Sequence, residues 1–194
     1  MRNIFCIMGR SGSGKDSAYK QLLNSTGINF NKVILYTTRP MRQGEQNGRE
    51  YYFVSDEEFE HLKTQNKFIE IREYHTVQGI WKYATSIDSF KESGNYLAIG
   101  TPESFQSLKK IFKDNLHDIF ISVDNEILLE RTVLRAEGDN TQNIEEIKRR
   151  FEADSLDFGS DKLKAAGISN IFENNGNLED CVASIRDYIN SVLG

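Results

Sequence analysis

The chain has 194 residues, 38% of them hydrophobic and 27% charged, with 24 basic against 29 acidic side chains and a net charge of −5. That length suits a single α/β domain with small insertions and is long enough to bury a real core. The net acidity argues against general nucleic-acid binding, and neither a long apolar membrane span nor a basic-then-apolar leader is expected from the pattern. Cys6 and Cys181 read as small buried hydrophobes of a reducing cytoplasm, and nothing has metal-ligand spacing. There is no internal repeat and no low-complexity tract.

Ile4–Met8 is an apolar run that predicts a buried strand. Gly9-Arg10-Ser11-Gly12-Ser13-Gly14-Lys15-Asp16-Ser17 follows it, and a helix is predicted from Asp16 to about Leu23. Strand, glycine-rich turn, lysine and helix in that order are what a phosphate-binding loop needs. Glycines let backbone N–H groups converge on phosphate oxygens, the helix N-terminus adds partial positive charge, and Lys15 can bridge the outer phosphates. The residue after the lysine is usually a hydroxyl that ligates Mg²⁺; here it is Asp16, with the hydroxyl one later at Ser17. Asp16 either contacts a metal through water or is simply an acidic residue of a first helical turn.

Asn31–Tyr36 predicts a second strand. Thr37 to Val54 then holds Arg39 and Arg42 three apart, a glycine-rich turn and the tyrosines Tyr51 and Tyr52. Guanidinium forks grip phosphate in a bidentate way and a phenol adds a donor, so the stretch reads as an anion clamp or as an ordinary polar loop. Ser55-Asp56-Glu57-Glu58 is a capping box opening a helix to about Gln65. Phe68-Ile69-Glu70 and Trp81-Lys82-Tyr83-Ala84-Thr85 follow, and His61 and His75 have no partners at catalytic spacing. Asn95–Ile99 predicts another buried strand, after which Thr101 caps a helix with Pro102 at its first position. Ile119–Val123 is a further strand; Asp124 caps a helix carrying Arg131 and Arg135, and the turn from Glu137 to Thr141 leads to a helix with Lys148-Arg149-Arg150. Ile168–Phe172 and a helix from Leu178 to Val192 close the chain, with Asn174 between them.

Thr37–Val54 resembles the guanylate kinase motif T-T-R-x-P-R-x-G-E-x-x-G-x-x-Y-x-F-V, with its spacing kept and only Pro40 and Met41 exchanged in order. The resemblance, joined to the phosphate loop, implies a three-layer α/β P-loop kinase fold with a mainly parallel core sheet of about five strands. It implies a core of residues 1–35, 86–123 and 151–194, an acceptor-binding insertion over 36–85 and a lid over 124–150. By the same resemblance the loop Gly9–Ser17 holds ATP with Lys15 bridging its phosphates, Asp16 and Ser17 lie near Mg²⁺, and Asn174 lies near the adenine. Arg39, Arg42, Tyr51 and Tyr83 would hold the acceptor phosphate, Glu70 (in the family's F-x-E) and Thr85 would read guanine, and Arg135 and Arg150 would close over the phosphoryl group. A few residues around Val77–Ile80 look inserted, and Arg131 and Arg149 also fit a charged helix face paired with Glu130, Glu145 and Glu146.

Three departures bear on specificity. Leu35 stands where the family has a serine, Pro102 where it has an aspartate, and the family's D-x-D becomes Gly100-Thr101-Pro102, with Glu103 a candidate stand-in carboxylate. The resemblance therefore implies phosphoryl transfer from ATP to GMP or dGMP, with another (deoxy)nucleoside monophosphate or phosphorylated metabolite as the alternative acceptor. A non-catalytic guanylate kinase-like binding module is the reading from a different class, opposed by Lys15 and Arg135. Small nucleotides, no nucleic acid, no membrane, a monomer or homodimer and a cytoplasmic setting complete the expectation.

Overall fold

The computed structural model describes residues 2–24, 27–76, 78–138 and 144–194, apart from the side chains of 135–138, 144–148 and 150. In chain order the elements are β1 (Ile4–Met8), α1 (Lys15–Leu23), β2 (Phe30–Lys32), β3 (Leu35–Thr37), β4 (Tyr51–Phe53), α2 (Asp56–Thr64), β5 (Phe68–Thr76) and β6 (Gly79–Ser86). Then come β7 (Asn95–Ile99), α3 (Pro102–Phe112), β8 (Leu116–Ser122), α4 (Asn125–Gly138), α5 (Ile144–Asp157), α6 (Ser160–Ala166), β9 (Ile171–Glu173) and α7 (Leu178–Leu193).

Five strands form a parallel sheet in the order β2-β7-β1-β8-β9. β1 is central and every one of its residues is buried, which explains why it reads as an unbroken apolar run rather than an alternating one. Ile4, Cys6 and Met8 face a layer with Phe90, Tyr96, Phe105 and Leu108, while Phe5 and Ile7 face Ala18, Leu22, Val182, Ile185 and Ile189. Helices α1 and α7 thus close one face, and α3 and α6 contribute to the other. Each large apolar side chain so buried stabilises the fold by roughly 1.5–3 kcal/mol. Cys6 belongs to this core, and burial pushes its thiol up to about 12, which makes it inert packing rather than a nucleophile.

The predicted strand over Asn31–Tyr36 is two strands. The chain leaves the core sheet after Lys32, buries Val33, and re-enters as β3 in a second sheet of order β4-β3-β6-β5. Most of that sheet is a β5–β6 hairpin in continuous antiparallel register from Glu70↔Thr85 to Thr76↔Gly79. The residues that look inserted are its tip, turned at Gly79 (φ +116); Val77 lies outside the described residues. One face of the sheet packs on α2, where the Phe68 ring lies 5.4 Å from Tyr36 and 4.8 Å from Phe59. A bulge between Phe68 and Glu70 breaks the strand's alternation, so Phe68 packs on α2 while Glu70 bonds Thr85 on the opposite face.

Helix starts follow their capping chemistry. The Ser55 hydroxyl accepts from the Glu58 N–H (3.1 Å), and Thr101 and Ser104 form a reciprocal capping box with Pro102 in the first turn. Of the predicted turn between α4 and α5, Asp139, Asn140 and Thr141 lie outside the described residues.

Candidate active site

The loop between β1 and α1 is held from behind. Gly12 and Gly14 take φ of +82 and +86, values that only glycine adopts freely, and Gly14 stands at the helix N-cap. A Cβ on Gly14 would lie 2.6 Å from Asn174 Nδ2, and one on Gly9 would lie 2.5 Å from Ser13 Oγ. The Asn174 amide is almost wholly buried and donates to the Ser13 carbonyl at 2.8 Å, while its backbone N–H bonds Ser122. Asn174 therefore braces the loop from beneath and is not among the residues lining the cleft. Arg10 also turns away: its guanidinium donates to Asn125 (2.6 Å) and Ser155 (2.9 Å) and sits 4.3 Å over the Phe151 ring, clasping the loop to α4 and α5.

Facing the cleft are Gly9, Ser11, Lys15 and Asp16. Lys15 lies 3.5 Å from the exposed Asp16 carboxylate, whereas Ser17 is exposed outside the cleft lining. Asp154 of α5 accepts a hydrogen bond from the Ser11 N–H. Burial pushes its carboxyl above the ordinary carboxylate range, against the Ser11 N–H and the charges of Lys15 and Arg10. A carboxyl group thus already occupies one of the loop's donors.

Across a cleft of about 590 Å³ stands the second sheet. Its register aligns Glu70 with Thr85, Arg72 with Tyr83, Tyr74 with Trp81, and Thr37 with Tyr83, placing these residues on one face. Tyr51 and Tyr74 flank Tyr83 at ring separations of 5.8 and 5.6 Å. The turn after β3 is organised by Glu45. Its carboxylate takes both Arg39 Nη2 contacts (2.8 and 3.0 Å) and the Arg42 N–H (2.7 Å). Burial acts to raise the Glu45 carboxyl, but the Arg39 and Arg42 hydrogen bonds outweigh it and hold the group below its ordinary value.

The predicted clamp residues separate accordingly. Arg42, Tyr51 and Tyr83 line the cleft. Arg39 does not; only 4% exposed, it is paired with Glu45 and lies 5.4 Å from both the Tyr51 and Phe53 rings. Glu70 and Thr85 meet, with Thr85 Oγ1 donating to Glu70 Oε1 at 2.5 Å, but neither is among the residues lining the cleft. Leu35 lines the cleft, whereas Pro102 is buried at the start of α3, leaving Ile99, Gly100 and Thr101 to form that wall. Arg149, read as part of a charged helix face, also lines it. The side chains of Arg135 and Arg150 lie outside the described residues.

Sequence reasoning missed Arg49, Arg72, Tyr74 and Asp154, all of which line the cleft. For Arg72 and Tyr74 a signal was present, since Glu70, Arg72 and Tyr74 repeat every second residue along one strand face. Asp154 carries no comparable sign, because it meets Ser11 only through the tertiary packing of α5 on the loop.

A phosphate loop facing a cationic, tyrosine-lined sheet across one cleft matches a known architecture. The guanylate kinase family profile matches residues 1–192. The chain belongs to the guanylate kinase family. A guanylate kinase of Porphyromonas gingivalis is 30% identical over 193 residues, 97% of each chain. One from Helicobacter hepaticus is 33% identical over 146 residues, 73% of this chain and 70% of that one. Among solved structures, a guanylate kinase from Anaplasma phagocytophilum aligns over 97% of this chain and 85% of its own with a TM-score of 0.64, at 20% identity. That last likeness is one of fold. No helix among the described residues is long and apolar enough to cross a membrane.

Proposed function

We propose that the protein transfers the γ-phosphoryl group of ATP to GMP or dGMP. The observation that carries this reading is a single cleft containing the phosphate-loop residues Ser11 and Lys15 on one wall and Arg42, Tyr51 and Tyr83 on the other. Its volume of about 590 Å³ is ordinary for a small-molecule site. The loop N–H groups and Lys15 would bind the ATP phosphates, with Arg42, Tyr51 and Tyr83 donating to the acceptor phosphate. Arg39, already paired with Glu45, would hold the turn that presents them. Arg135 and Arg150 would close from the lid over 124–150, and the insertion over 36–85 would carry the acceptor. Catalysis then needs only alignment, neutralisation of charge and exclusion of water, with no covalent intermediate.

The donor set fits Mg²⁺, which prefers one or two protein oxygens and completes its shell with water and phosphates. Asp16 offers an exposed carboxylate facing the cleft, the Ser17 hydroxyl lies outside the cleft lining, and no group of three metal-ligating side chains occurs among the described residues. Bound there, the metal would neutralise charge on the β- and γ-phosphates. The two cysteines, free and buried, suit a reducing cytoplasmic setting.

The deciding assay is ADP release from ATP–Mg²⁺ over a panel of ribo- and deoxynucleoside monophosphates. Preference for GMP or dGMP is expected. A preference for another monophosphate would support the second reading, which rests on Leu35 in the cleft wall where a hydrogen-bonding side chain would serve guanine. No turnover with any acceptor would overturn both.

A further inference from the structure

Arg72 lines the cleft from β5, on the sheet face it shares with Glu70, Tyr74 and Tyr83. It stands next to Tyr83 in register and is only 13% exposed. Its Nε lies 3.0 Å from Glu70 Oε2, yet the two groups are not aligned for a hydrogen bond. Both atoms are buried and both are without a hydrogen-bond partner. On the other side, Glu70 Oε1 is held by Thr85. A buried acceptor and a buried donor, side by side and unsatisfied, are costly unless a ligand completes them.

We propose that Arg72 reads the acceptor base by donating to guanine O6 while Glu70 accepts from the neighbouring ring and amino N–H groups. This rests on the guanylate kinase reading above. Guanine presents two adjacent N–H donors and then the O6 acceptor, which complements a carboxylate with one oxygen unsatisfied beside a guanidinium. Leu35 lines the same cleft and alternates onto the face of Thr37, which pairs with Tyr83, so a side chain that cannot donate shares the sheet face of Arg72. Arg72 supplies the donor which that position lacks. The interaction also explains how a full charge is tolerated at so buried a site. Glu70 neutralises it, and the base takes up the remaining polar valences.

The test is a substrate-and-mutant cycle with GMP and 6-thio-GMP, whose sulphur is a much weaker acceptor than O6. The unsubstituted protein should favour GMP in kcat/KM by about 10- to 100-fold, in line with the discrimination carried by a buried polar contact. Arg72→Leu should lose most of its GMP activity through KM and bring the ratio of the two substrates close to one. Arg72→Lys, which keeps a charge opposite Glu70, should fold normally and retain an intermediate ratio. It serves as the decisive variant if Arg72→Leu shows no cooperative melt. An unchanged ratio in a folded variant would overturn the proposal and leave Arg72 as a structural partner of Glu70. Failure of the unsubstituted protein to phosphorylate GMP, or a preference for AMP or CMP, would instead overturn the functional reading on which the proposal rests.

Discussion

Asn174 offers the sharpest test of how the phosphate loop is held. Replacing it with alanine removes the donor at 2.8 Å from the Ser13 carbonyl and leaves that carbonyl buried with no partner from this side. An orphaned buried acceptor costs about 1–3 kcal/mol. For a chain of this length roughly 2 kcal/mol lowers Tm by about 4–8 °C. Asn174→Asp should be worse at neutral pH, since it sets a carboxylate against a carbonyl, acceptor against acceptor. The stability order is therefore Asn, then Ala, then Asp. Because Ser13 and Gly14 belong to the loop, KM for ATP should rise in both variants while KM for the acceptor changes little. Thermal melts followed by coupled kinetics with ATP and GTP as donors would check this. Equal stability of all three proteins, with altered preference between ATP and GTP, would refute the brace and return Asn174 to a contact with the adenine.

Gly14→Ala imposes a positive φ of +86 on a residue with a Cβ only 2.6 Å from Asn174 Nδ2. We expect a loss near 100-fold in kcat/KM for ATP, because displacing a phosphate cradle by about 1 Å has that effect. Gly167→Ala, with φ +69 and nothing within 4 Å of the added Cβ, should cost about 1–2 kcal/mol of stability and no activity. The Glu45 carboxyl is held below its ordinary 4.5, so its contribution is complete above that value and is lost as pH falls through the lowered folded value. The Tm gap between the native protein and Glu45→Gln should therefore be flat near neutrality and shrink in acid. Asp154 is the opposite case. Burial raises it above its ordinary 3.8, so its contribution is complete below that pH and is lost as pH rises through the raised folded value. Asp154→Asn should keep its Tm at neutral pH and lower KM for ATP, as the loop loses a competing anion; a higher KM would mean that the carboxylate takes part in nucleotide or metal binding.

What could be read from the sequence was what is local in the chain. The phosphate loop is one continuous turn, and the Thr37–Val54 stretch folds around its own Glu45, so both announce themselves by spacing. The central core strands β1, β7 and β8 were legible because each is an apolar run buried between helices, whereas the edge strands β2 and β9 are short and partly exposed. The second sheet was not, since its strands are amphipathic and take their faces from pairing. A bulge at Phe68/Glu70 and a strand that changes sheets at Val33 both defeat a simple alternation rule. Arg39 shows the same limit within the site. Its spacing from Arg42 suggested two equal phosphate ligands, yet only the fold shows that Glu45 engages one side chain and merely the backbone of the other.

The charge layout ties these pieces together. The whole chain carries −5, but among the described residues the cleft is lined by seven basic and four acidic side chains, a local excess of three positive charges. One of those seven is Arg72, whose charge is offset by Glu70 just behind the wall, leaving an excess of about two. A negative body with a positive cleft favours polyanions at that one place and discourages nonspecific attachment elsewhere. The same arithmetic explains why Asp154 and Asp16 can sit beside the phosphate loop. Without them the excess would be about four, and like charges so close would repel one another.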